Sequence, residues 1–177
     1  MEMSGSPMDL SLNLREIFMV IFYLQAKQCM QKLLLTETFD SFSFLEGDVA
    51  SFCTFHIDGK LHKDFFEEAP AEEYTDWGQV KERFLAVIKG KKTPLSFRFI
   101  LSLSPSDLPA FLHENDLAFR FEEIQGLYLN IRFDEGRLSL ITGTSLHTFT
   151  MDKSVEHTWD LYVERFLTKA GLTFEQG

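Results

Sequence analysis

Arg98, Arg132, Tyr128, Asn130 and His56 are the residues of this chain whose types and spacing best suit recognition chemistry. Arg98 lies in the run Leu95 to Leu103 and Arg132 in Leu127 to Phe133, and in both runs apolar and polar residues alternate. A period of two belongs to a strand with one greasy and one wet side, so Ser96, Arg98 and Ser102 should leave by one side of their strand. Tyr128, Asn130 and Arg132 should do the same on theirs, and Thr54 and His56 are expected to join them. Guanidinium groups fork carboxylates and phosphates, and a tyrosine ring supplies a flat wall, so such a face would suit an anionic or planar ligand. The plainer account is the solvated outer face of an antiparallel sheet.

Other candidates carry less. His56 and His62 flank Asp58-Gly59, and in a two-residue hairpin Phe55 would pair His62, which puts the two imidazoles on opposite faces. His157 and Asp160 stand three apart in a helical pattern without a third ligand, and His113 and His147 have no partner at motif spacing, so no metal is expected. Lys89, Lys91 and Lys92 form the one dense basic patch. They follow a predicted helix, whose negative end attracts cations, whereas anions favour the opposite end. Gly143-Thr144-Ser145 has no nucleophile elbow around it, and no glycine-rich phosphate loop, HExxH or calcium loop occurs. No cofactor is implied.

The elements that must position these residues follow from pattern. Met19 to Leu24 reads as a buried strand and Gln25 to Leu35 as a helix with Cys29, Met30, Leu33 and Leu34 on one stripe. Ser41 to Leu45 and Val49 to Ile57 read as strands around Glu46-Gly47-Asp48, and Asp58-Gly59 as a hairpin turn returning through Lys60 to Phe66. Glu67 to Tyr74 is an acidic loop expected to face water. A helix capped by Thr75 carries Trp77, Val80, Phe84, Leu85 and Ile88 inward and stops at Gly90. After the strand Leu95 to Leu103, Pro105 to Glu114 forms a short helix, and Phe119 and Phe121 hint at a strand. Leu127 to Phe133, Leu138 to Thr142 and Ser145 to Met151 form a meander turning at Asp134-Glu135-Gly136 and Gly143-Thr144. A closing helix from Asp152 or Ser154 stops at Gly171. The fold class is α+β: a mostly antiparallel sheet of about seven strands, with about four helices packed mainly on one face. Residues 1–18 read as a partly disordered N-terminal extension, 19–171 as one domain and 172–177 as a tail.

Composition sets limits. Among 177 residues, 17 are basic and 27 acidic, a formal charge of −10, so nucleic acid is an unlikely partner and anionic lipid is disfavoured. Phenylalanine is abundant at 19 residues and supplies a large apolar payload. Cys29 and Cys53 make no disulfide framework and read as buried thiols of a reducing compartment. Ile17 to Leu24 is too short to span a bilayer and its flanks do not suit a secretory signal, so no membrane partner and a cytoplasmic location are expected.

The segments LLLTETFDSF, TFHIDGKL, IKGKKTPLSF, GLYLNIRFDEG and TGTSLHTFTMDKSVEHTWDLYVERFL together resemble a family of small proteins of unknown function from anaerobic Gram-positive gut bacteria. The resemblance covers roughly residues 19–170 and implies one intact domain, with residues 1–18 as an addition. It transfers no activity and no site. The residues themselves suggest a non-enzymatic binding or protein-interaction module using the polar sheet face, whose partner is a protein or a small anionic ligand. A small hydrolase or transferase of an anionic metabolite, with Arg98 and Arg132 holding substrate and His56 as acid-base group, is the alternative. A sheet-based RNA module with Tyr128 stacking on a base is the second alternative. An enzyme requires a deep pocket where His56 meets an arginine; an interaction module requires a flat or convex face.

Overall fold

The computed structural model describes residues 19–177. The extension assigned to residues 1–18 lies outside the described residues. Among those described, seven strands form one sheet: β1 (Ile21–Leu24), β2 (Ser43–Ala50), β3 (Thr54–Asp58), β4 (Ser96–Ser102), β5 (Ile124–Asp134), β6 (Arg137–Leu146) and β7 (Phe174–Gln176). Their spatial order is β3-β2-β4-β5-β6-β1-β7, and every neighbouring pair is antiparallel. Four helices, α1 (Ala26–Leu35), α2 (Trp77–Ile88), α3 (Leu108–Glu114) and α4 (Ser154–Lys169), complete an α+β fold. None of these helices is long and apolar enough to cross a membrane.

Alternation decides which face the helices cover. Phe97, Phe99 and Leu101 of β4, Leu127, Leu129, Ile131 and Phe133 of β5, and Leu138 and Leu140 of β6 are all buried on one side. Phe97 stacks on Phe99 along its own strand and on Phe133 across the pair, with ring centroids 5.0 and 5.1 Å apart. The α2 aromatics close over that column: Trp77 stacks on Phe84, and both meet Phe99. Truncating any of these rings to alanine would cost about 3–5 kcal/mol, the usual toll for a large side chain in a packed core. The two indoles also tie elements together, since Trp77 Nε1 of α2 donates to the Leu33 carbonyl of α1, and Trp159 Nε1 of α4 to the Tyr128 carbonyl of β5.

Several connections differ from the sequence expectation. Glu46-Gly47-Asp48 is no turn: β2 runs through it, and a Cβ on Gly47 would come within 2.8 Å of both the Phe84 and Phe99 rings. Glycine is there to let aromatic rings approach the backbone. Nor does Asp58-Gly59 make a hairpin. Gly59 is buried, its N–H donates to the Leu45 carbonyl, and a Cβ would overlap the Phe44 carbonyl oxygen. The chain then passes through a 3₁₀ turn at Lys63–Phe65 instead of a return strand. Likewise β6 continues straight through Gly143, so Ser145 to Met151 is no separate third strand. Phe121–Glu123 is a 3₁₀ turn, not a strand. The helix after Thr75 has Asp76 as N-cap, without a side-chain capping bond. The β5–β6 loop is two residues long, with Glu135 at φ 50° and Gly136 at φ 75°, the left-handed pair a tight hairpin demands. Residues of the expected tail supply β7, which pairs with β1 after Gly171 ends α4 at φ 73°.

Candidate functional site

Strand register assembles the sheet face that the helices leave uncovered. One row runs across the whole sheet as His56, Asp48, Arg98, Arg132, Ser139, Tyr23 and Glu175, each the cross-strand partner of the next. The adjacent row runs Asp58, Glu46, Ile100, Asn130, Ile141 and Ile21. A third contains Ser43, Ser102, Tyr128 and Gly143. Partners across a ladder share a face, so Arg98, Arg132, Tyr128, Asn130 and His56 stand on one side of the molecule.

Their charges are already partnered. Asp48 Oδ1 lies 2.5 Å from His56 Nδ1, and its Oδ2 accepts from Arg98 at 3.1 Å. A second bond from Arg98 reaches Glu46 at 2.9 Å, and Arg132 turns along its own strand to Asp134 at 3.0 Å. Partial burial opposes ionisation of Asp48, but the His56 and Arg98 hydrogen bonds and charges outweigh it and hold its carboxyl below the usual carboxylate range. The bond to Asp48 raises the His56 imidazole, helped by the charges of Asp48, Glu46 and Asp58.

These groups do not surround a cavity. His56 and Arg98 meet through Asp48 on an exposed surface, and neither arginine lines the five best-formed hollows of the described residues. Asn130 sits between the half-buried Ile100 and Ile141, its Oδ1 buried and without a hydrogen-bond partner among the described residues.

A cleft lies instead at the end of the face, where Glu72, Glu73 and Tyr74 come over Ser43, Ser102 and Tyr128. It opens into a wider hollow of about 770 Å³ bounded by Asp76 and the Ser104–Asp107 turn. Burial, followed by the nearby Tyr74 and Glu73, pushes the Tyr128 phenol up. Loss of hydration, with Glu72 and Asp107 nearby, raises the Asp76 carboxyl although the residue is exposed overall. Tyr128 therefore belongs to this cleft more than to the arginine row. Its ring occupies the space over Gly126 that a Cβ would claim.

The basic patch divides between a helix end and a connection. Lys89 caps the C-terminus of α2, while Lys91 and Lys92 lie in the connection to β4. Among the histidines, His62 precedes the 3₁₀ turn at Lys63–Phe65, and His113, His147 and His157 are exposed. No three His, Cys, Asp or Glu side chains converge on one point among the described residues. Of the two thiols, Cys29 is buried, but Cys53 is exposed at the β2–β3 turn, contrary to the expectation that both are buried.

Comparison with known protein families matches residues 32–175 to a family of unknown function, DUF5721. No curated protein and no solved structure matches the chain.

Proposed function

The chain belongs to the DUF5721 family, and we propose that it is a binding module whose uncovered sheet face docks a partner protein. The observation that carries this reading is the half-buried aliphatic strip Ile100, Ile141 and Ile21, which with Asn130 crosses four strands. Alongside it runs the charged row from His56 to Arg132. An apolar centre with a polar margin is the anatomy of a protein contact surface. A small anion would have to displace Asp48, Glu46 and Asp134 from the guanidinium groups, which favours a macromolecular partner over an anionic metabolite. The formal charge of −10 counts against RNA on the same face.

The partner that fits is a protein surface with an aliphatic centre to cover Ile100, Ile141 and Ile21. Affinity capture from cells of the same species tests the reading with three baits: the unaltered chain, Ile141→Lys, and Glu164→Lys on α4. One defined protein retained by the first and third baits and lost with Ile141→Lys supports it. A protein retained equally by all three, or lost only with Glu164→Lys, refutes it.

A further inference from the structure

We infer that the groove between the start of α1 and the α2–β4 connection binds an amphipathic anion: an unbranched acyl or alkyl chain ending in a carboxylate or phosphate. The groove encloses about 400 Å³, within the range of small-molecule sites. Its floor is apolar, formed by the part-exposed Met30 of α1 and Ile88 at the end of α2 over the nearly buried Phe97 and Phe133.

Its rim is cationic. Lys27, Lys91 and Lys92 all line it, and none of the three is ion-paired with a described residue, although acidic residues outnumber basic ones by 27 to 17 in the chain. By contrast Lys60, Lys63, Lys81 and Lys153 all hold carboxylate or carbonyl oxygens of the protein itself. The first turn of α1 carries no carboxylate, and its N-cap Gln25 makes no side-chain capping bond, so the positive end of that helix adds to the lysines. The negative end of α2 at Ile88 also lies there and draws Lys91 and Lys92, but it forms no ion pair with them. A greasy floor beside three lysines without an ion pair among the described residues fits one ligand that has both parts. A hydrophilic anion would leave the part-exposed Met30 and Ile88 side chains in water, and a neutral hydrocarbon would make no use of the three lysines at the rim.

The site is separate from the uncovered sheet face, because Phe97 and Phe133 point to the helix side while Arg98 and Arg132 point away. Failure of either proposal therefore leaves the other standing.

Isothermal titration with octanoate, octyl phosphate, 1-octanol and butyrate tests it on the full chain. Octanoate and octyl phosphate should bind with one-to-one stoichiometry, and the tighter of the two names the head group. Butyrate and 1-octanol should each bind at least about tenfold more weakly, since each lacks one of the two parts. The double variant Lys91→Glu/Lys92→Glu should weaken octanoate by a similar factor, and Met30→Trp, which fills the groove, should abolish binding. Arg132→Ala, on the other face, should leave it unchanged, and circular dichroism of each variant confirms that it folds. No heat with either anion, equal binding of 1-octanol, or octanoate affinity unaffected by the lysine pair would overturn the proposal.

Discussion

Arg98 and Arg132 face each other directly across β4 and β5, two like charges in register on the uncovered side of the sheet. Like charges directly opposite destabilise a ladder, and here carboxylates on either side draw the guanidinium groups apart, Glu46 and Asp48 for one and Asp134 for the other. Asp48 is the member with most to lose, because it serves both Arg98 and His56. Asp48→Ala should lower stability by about 1 kcal/mol, the upper end for exposed pairs. Adding Arg98→Ala should recover part of that loss by removing the exposed repulsion. Urea titrations of both variants and the double variant check this.

The same pair sets a pH dependence. The folded His56 imidazole titrates above its ordinary 6.5, so its contribution is complete below 6.5 and fades as pH rises through the raised folded value. Chemical shifts of the His56 ring should give a midpoint above 6.5 that falls in Asp48→Asn. A midpoint insensitive to that substitution would contradict the bond between them.

Asp160 titrates in the opposite sense to a paired carboxylate. Burial raises its carboxyl despite the 2.5 Å bond from the Thr142 hydroxyl and the charge of His157, with Glu156 adding to the rise. A raised folded value means stability is lost as pH climbs through it. Asp160→Asn does not titrate and can still accept from Thr142, so it should be more stable than the unaltered chain at about pH 8 and equal to it at about pH 3. Melting temperatures at the two pH values decide.

Two glycines separate close packing from simple strand occupancy. Gly47→Ala forces a methyl into Phe84 and Phe99, both wholly buried, and should cost about 1–3 kcal/mol. Gly143→Ala meets nothing nearer than the Tyr128 Cβ at 3.8 Å. It should gain about 0.5 kcal/mol by restricting the unfolded chain. Denaturant midpoints moving in opposite directions are the expected result.

The thiols should differ in reactivity. Burial pushes the Cys29 thiol up to about 12, whereas Cys53 is exposed. Alkylation of the native protein at about pH 8 should label Cys53 alone, with Cys29 following in denaturant, as read by mass spectrometry of the peptides.

The glycines also mark where the sequence was legible. Alternation in Leu95 to Leu103 and Leu127 to Phe133 carries its own face assignment, because the helix layer covers only one side, and those strands and the shared face of Arg98 and Arg132 are where the pattern puts them. Glycine has two uses that look alike in one dimension. Gly47, Gly59 and Gly143 read as turns, yet Gly47 and Gly143 lie inside strands and Gly59 just past the end of one, and Gly47 and Gly59 sit beneath aromatic or carbonyl groups contributed by distant residues. Misplacing the turn at Gly47 hid Glu46 and Asp48, and with them the carboxylates that hold Arg98. The cleft around Tyr128 and the arrival of Lys27 beside Lys91 and Lys92 were illegible for another reason. Each joins residues far apart in the chain, which no local spacing records. β7, only three residues long at the sheet edge, is too short for a period to show.

If the sheet face away from the helices is the surface that meets a partner, site-specific photo-crosslinking in living cells reads that directly. With p-benzoylphenylalanine placed at Ser139, beside Arg132 and Tyr23 in the charged row, irradiation should trap one discrete adduct that disappears when Ile141→Lys is added. The same probe at Glu164, on α4, should trap none. Adducts from Glu164 alone, or none from either position, would contradict the assignment of that face.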